Sequence, residues 1–123
     1  MNSKIFSFRK RIKSFYYAFS GLKTVLINEH NFRIHLLAAI FAIIAGTLFN
    51  ISSMEWISIT LIIALVLSLE IINSAIEKLA DFVSPEKNIK IKAVKDMAAA
   101  AVLVAAIASL IIAAIIFIPK LSL

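Results

Sequence analysis

The sequence predicts an all-α integral membrane protein, with three transmembrane helices behind an N-terminal amphipathic surface helix. Three observations carry that prediction. Hydrophobic residues make up 62% of 123 residues, too apolar for an ordinary soluble domain and too short for two domains. Three stretches (34–49, 56 to about 79, and 97–119) are long and apolar enough to cross a bilayer, the last without a charge. Two glycines and two prolines punctuate the whole chain, so helices meet no internal breaker. Residues 1–123 are read as a single membrane domain.

The surface helix is expected over about 5–28. Phe8, Ile12, Phe15, Tyr16, Phe19, Leu22 and Leu26 recur at three- and four-residue steps, with Arg9, Lys10, Lys13 and Lys23 between them. Gly21 is a candidate for a bend or a close approach. No secretory signal is expected, because the first 30 residues lack a continuous apolar core.

The first span is expected over about 32–50, preceded by the polar cluster Asn28-Glu29-His30-Asn31-Phe32-Arg33. Glu29 and Arg33, four apart, read either as a helix-surface ion pair or as a metal ligand with a nearby cation. His30 and His35 lack the spacing of a zinc site and read as interfacial residues. Asn50-Ile51-Ser52 matches the glycosylation triplet only weakly, and Trp56 suits an aromatic belt.

The second span, about 55–82, carries the chemistry. Only the residues from Trp56 to Leu69 are continuously apolar, so a span of roughly 20 residues must also take in Glu70 and Asn73. Glu70, Asn73, Glu77 and Asp81 lie at i, i+3, i+7 and i+11, one stripe on one helix face. An acid at membrane depth marks function by default, and three helices are expected to leave Glu70 poorly shielded from lipid, which favours self-association. Pro85 ends the extension at Ser84. The third span is expected over about 92–119, opened by Lys95-Asp96 and the small residues 98–101, which favour close packing. Asp96 is expected at the helix N-terminus, as a dipole partner or a site residue.

Seven of the 13 cations lie at or before Arg33, five between Lys78 and Lys95, and one beyond. The positive-inside rule therefore places the N-terminus and the second connection in the cytoplasm and the C-terminus outside. Cations flanking spans read as contacts to anionic lipid rather than to nucleic acid. Cysteine is absent, which removes thiolate metal sites and cysteine nucleophiles.

Glu29, Glu70, Glu77, Asp81 and Asp96, with Lys95 and Arg33 as counter-charges, form an all-oxygen set that favours magnesium over zinc. Magnesium keeps few protein ligands and shares its shell with water and phosphate, which makes phosphoryl transfer plausible. No phosphate-binding glycine loop or kinase signature occurs in the chain, so a nucleotide site must be built from helices. Glu70, the deepest acid, suits a general base for a lipid hydroxyl. Glu77, about 10 Å nearer the cytoplasm, suits magnesium. A proton or cation pathway through Glu70 is the competing class.

The motif Glu70-x-x-Asn73-Ser74-Ala75-x-Glu77-x-x-x-Asp81, with Asn28-Glu29-x-x-Phe32-Arg33 before it and Lys95-Asp96 after it, resembles the prokaryotic diacylglycerol kinase family. The resemblance covers nearly the whole chain. It implies a homotrimer with shared active sites in the bacterial cell membrane, ATP and magnesium as cofactors, and γ-phosphate transfer to a lipid alcohol. Carried over by position, it makes Glu70 the catalytic base and Glu29 and Glu77 the magnesium ligands. Tyr17, Glu29, Glu77, Glu86, Lys87, Asn88, Lys95 and Asp96 would line the ATP site, and Asn73, Ser74, Arg33 and Asp81 would support it. One departure concerns the family's early ATP-contacting arginine. Alignment on Gly21-Leu22 places Lys10 there, between Arg9 and Arg11. Ala98-Ala99 stands where relatives acting on diacylglycerol typically have Gly-Ser, and Asn31-Phe-Arg-Ile-His35-Leu resembles the undecaprenol kinase branch. Undecaprenol is the expected acceptor, with diacylglycerol as the alternative.

Overall fold

The computed structural model describes residues 7–121 as four helices, α1 (Phe8–Asn28), α2 (His30–Leu48), α3 (Ser53–Val83) and α4 (Ile89–Leu121), with no strand among them. The all-α class predicted from composition is what the chain adopts, and α2, α3 and α4 are the three helices long and apolar enough to cross a membrane. The first residues of the expected surface helix, 5 and 6, lie outside the described residues.

Ser7 caps α1, its hydroxyl accepting from the Lys10 N–H at 3.4 Å. The helix then runs unbroken through Gly21, where a Cβ would meet nothing within 4 Å. Gly21 therefore provides no close approach within this chain. Val25 is the buried residue of α1, while Phe8, Phe15, Tyr16 and Phe19 are exposed together on one side, the face that an interfacial helix offers to lipid.

Glu29 breaks α1 from α2 in extended backbone, φ −108°, ψ 110°. Arg33 explains the break. Its Nη1 donates to the carbonyls of Leu26 at 3.1 Å and Ile27 at 2.6 Å, two of the acceptors that a helix C-terminus leaves open. The expected Glu29–Arg33 helix-surface pair is thus corrected. Glu29 is not in a helix, and the guanidinium turns back to α1.

At the far end of α2, Asn50 adopts a left-handed φ of 50°, a conformation Asn tolerates better than most residues. The turn returns the chain into α3, where Ser52 and Glu55 exchange hydrogen bonds in a capping box, at 2.9 and 3.2 Å. Glu55 also meets Lys120 at 2.9 Å, tying the start of α3 to the end of α4. Trp56 packs so close to Gly46 that a Cβ there would lie 2.7 Å from the indole.

The core is a seam between α2, α3 and α4. Phe32, Ala39 and Gly46 are buried on α2, Ile59, Ile62, Val66, Glu70 and Ser74 on α3, and Val102, Ala105 and Ile116 on α4. Glu70 and Ser74 thus occupy core positions on the α3 seam. Their helix is 31 residues long, about 46 Å at 1.5 Å per residue, so it outruns a hydrocarbon core of roughly 30 Å. Counted from Trp56, Glu70 falls about 21 Å along the axis and Glu77 about 31 Å. With Trp56 set at one edge of a core of roughly 30 Å, the first falls inside it and the second at its border.

Candidate active site

Glu70 is 3% exposed, shielded within a single copy of the chain. The expectation that three helices leave it facing lipid is therefore corrected, because α2 and α4 both pack on α3 and close over it. Its partner is His35, whose Nε2 lies 3.1 Å from Glu70 Oε1. The reading of His35 as an interfacial residue is corrected with it. His35 falls on the inner stripe of α2, in the series Phe32, His35, Ala39, Ala42, Gly46 at steps of three and four. That periodicity was available in the sequence and would have turned the imidazole inward. The partner of His35 is 35 residues away on another helix, beyond any spacing along one helix.

One turn along α3, Asn73 donates from Nδ2 to Glu77 Oε1 at 3.4 Å, leaving its buried Oδ1 without a partner. Glu29 stands at the elbow between α1 and α2, whereas Glu77 continues the α3 stripe. Ser74 is buried beside it, and Glu29 and Glu77 are half-buried. Among the described residues no group of three or more histidines and acids is placed to hold a metal ion. The donors present are two carboxylates and an orphaned amide oxygen, hard ligands that fit a cation keeping most of its shell as water and phosphate.

Toward the α3–α4 turn the acids acquire cations. Asp81 is bonded to Lys95 across the two helices. Asp96 takes Lys92, one turn earlier on its own helix, at 2.6 Å. Because α4 starts at Ile89, Asp96 lies about two turns inside the helix, and its expected place at the N-terminus is corrected. The N-cap role falls to Asn88, whose Oδ1 accepts from the N–H groups of Lys90 at 2.8 Å and Ile91 at 3.4 Å. Ser84 Oγ donates to the Glu86 carbonyl at 3.0 Å and shapes the turn. Asp81, Glu86, Lys87, Asn88, Lys92 and Lys95 surround an open cavity of about 460 Å³.

Lys10 and Tyr17 lie on exposed faces of α1. The Tyr17 ring meets Tyr16 edge-on, with centroids 5.9 Å apart. The structure therefore sets Glu70, Asn73, Ser74 and Glu77 along one stretch of α3, keeps Glu29 at the elbow between α1 and α2, and places Asp81, Glu86, Lys87, Asn88 and Lys95 around one cavity. Arg33 serves the elbow, and Asp96 faces Lys92.

Residues 16–117 match the sequence profile of the family described as prokaryotic diacylglycerol kinase. The chain is 42% identical over 109 residues to the undecaprenol kinase of Bacillus subtilis, covering 89% of each protein. It is 34% identical to the diacylglycerol kinase of Synechocystis, of which it spans 62%. With the diacylglycerol kinase of Escherichia coli K12 it shares 33% identity over 104 residues, 85% of each chain.

Proposed function

Because this chain belongs to the prokaryotic diacylglycerol kinase family, a family of membrane lipid kinases, we propose that it transfers the γ-phosphate of ATP to the hydroxyl of a membrane lipid alcohol. Undecaprenol is the acceptor proposed, and undecaprenyl phosphate the product. The observation that carries the reading is the buried Glu70, 3% exposed, at the head of a stripe of acids that ends at Asp81, the partner of Lys95. A carboxylate at that depth meets the hydroxyl of a lipid whose chain lies in the bilayer. The acceptor is supported by 42% identity to a protein named undecaprenol kinase, against 33 to 36% to those named diacylglycerol kinase.

In the proposed reaction the Glu70 carboxylate takes the hydroxyl proton as the lipid oxygen bonds to the γ-phosphorus and the bridging bond to ADP breaks. Asn73 and Ser74 hold the acceptor side of the site. Glu29 and Glu77 would hold magnesium, which when bound neutralises charge on the phosphates. Lys95, released from Asp81, supplies a positive charge to the phosphates, and Glu86, Lys87, Asn88, Asp96, Tyr17 and Lys10 frame the nucleotide. The excess of cations before Arg33 and between Lys78 and Lys95 supports a cytoplasmic site and N-terminus, with the C-terminus outside. A homotrimer with shared sites is part of the proposal and rests on the family alone.

The test is transfer of label from γ-labelled ATP, with magnesium, to undecaprenol or diacylglycerol offered at equal mole fraction in detergent, with Glu70→Gln in parallel. Labelled undecaprenol that disappears in the variant is the expected result. Preference for diacylglycerol overturns the acceptor, and proton flux without lipid phosphorylation overturns the kinase reading.

A further inference from the structure

Histidine is an expensive residue inside a bilayer unless it is paired, and His35 occupies a place on the inner stripe of α2 where its neighbours are Phe32 and Ala39. Its side chain is 27% exposed while the Glu70 side chain is 4% exposed, with 3.1 Å between Nε2 and Oε1. The imidazole is also part of the wall of an apolar cavity of about 220 Å³, where Ala38, Ala42, Val66 and Leu67 are among its neighbours. One edge of the ring therefore meets the carboxylate while the ring itself borders apolar space.

We infer that His35 is a positioning residue for Glu70: Nε2–H donates to Oε1, fixes the carboxylate, and turns Oε2 toward the incoming lipid hydroxyl. The inference rests on the proposed kinase reaction. A Glu side chain has three torsions, and a carboxylate free to rotate about them presents the wrong lone pair for much of the time. Misplacement of a reacting group by about 1 Å costs on the order of a hundredfold in rate. A donor on α2 restrains a base on α3 from outside its own helix, which backbone packing of α3 alone does not do. The proton balance requires nothing of the imidazole. The hydroxyl proton passes to Glu70 Oε2, and His35 keeps its own N–H throughout.

The experiment compares wild type, His35→Leu and His35→Gln in the lipid phosphorylation assay, with kcat, the KM for ATP and the melting temperature of each. The expected result is a kcat on the order of 30-fold lower in His35→Leu, with ATP KM within about twofold of wild type. Most of that loss should return in His35→Gln, whose amide N–H can donate in place of Nε2. Where His35→Leu does not yield folded protein, His35→Ala replaces it in the same comparison. Turnover of the apolar variant within about threefold of wild type overturns the inference. So does an equal fall in the apolar and Gln variants that follows melting temperature. Each of those leaves the kinase reading standing, whereas a wild type that labels neither lipid alcohol overturns both.

Discussion

The Arg33 guanidinium reaches back six residues to the Ile27 carbonyl at 2.6 Å, closing the end of α1 from the first turn of α2. A second bond to Leu26 at 3.1 Å and an approach to His30 Nδ1 at 3.5 Å complete the elbow. Glu29 lies inside this elbow, and its own carbonyl accepts the Arg33 N–H at 3.4 Å. The angle between the surface helix and the first span, and with it the placement of Glu29, therefore depends on a cation that is not itself buried.

Replacing Arg33 with Met should loosen the elbow. The lost charged hydrogen bonds are expected to cost about 1 kcal/mol at this exposed position, and the magnesium concentration needed for half-maximal activity should rise because Glu29 is released. Titration of activity against magnesium, beside a melting curve in detergent, checks both effects. Arg33→Lys should recover little, since one ammonium cannot reproduce the planar fork.

Glu70→Gln is expected to lower kcat by about 10² to 10⁴, the range of a general base, while ATP binding changes little. Equilibrium binding of a non-hydrolysable ATP analogue to the variant separates lost chemistry from lost binding.

Lys95→Met removes the cation that Asp81 holds between α3 and α4. The KM for ATP should rise roughly tenfold, equivalent to about 1.4 kcal/mol, with a smaller change in Lys92→Met, whose ammonium serves Asp96. Steady-state kinetics at saturating lipid alcohol distinguish the two.

Gly46→Ala forces a methyl group to within 2.7 Å of the Trp56 ring and 3.0 Å of Ile51. Overpacking of this kind costs about 1 to 3 kcal/mol, read as a lower melting temperature. Adding Trp56→Phe to Gly46→Ala should recover part of that loss, because the smaller ring vacates the position of the contact.

Glu55 and Lys120 meet at 2.9 Å on the end of the bundle remote from the acids. Removing either charge should lower the melting temperature slightly, with the loss shrinking as salt is added. The doubly reversed pair, Glu55→Lys with Lys120→Glu, should restore only part of it, because the hydrogen bond that Glu55 accepts from the Ser52 N–H is lost. Lipid phosphorylation should be unchanged throughout.

The amino-acid sequence by itself determined the class of the fold and the membership of the stripe. Apolar runs too long for a soluble core admit helices in a bilayer, and a 3.6-residue period puts Glu70, Asn73, Glu77 and Asp81 on one side of α3 whatever surrounds it. Tertiary structure decided which groups face that stripe. His35 meets Glu70, Lys95 meets Asp81, and Arg33 leaves Glu29 for the end of α1, and none of these pairings follows from spacing along one helix. The reason is physical: periodicity fixes directions around a single axis, whereas the partner of a buried charge depends on the rotation and height of a neighbouring helix. Close contact of small residues, such as Gly46 beneath Trp56, settles that rotation and height when the helices pack.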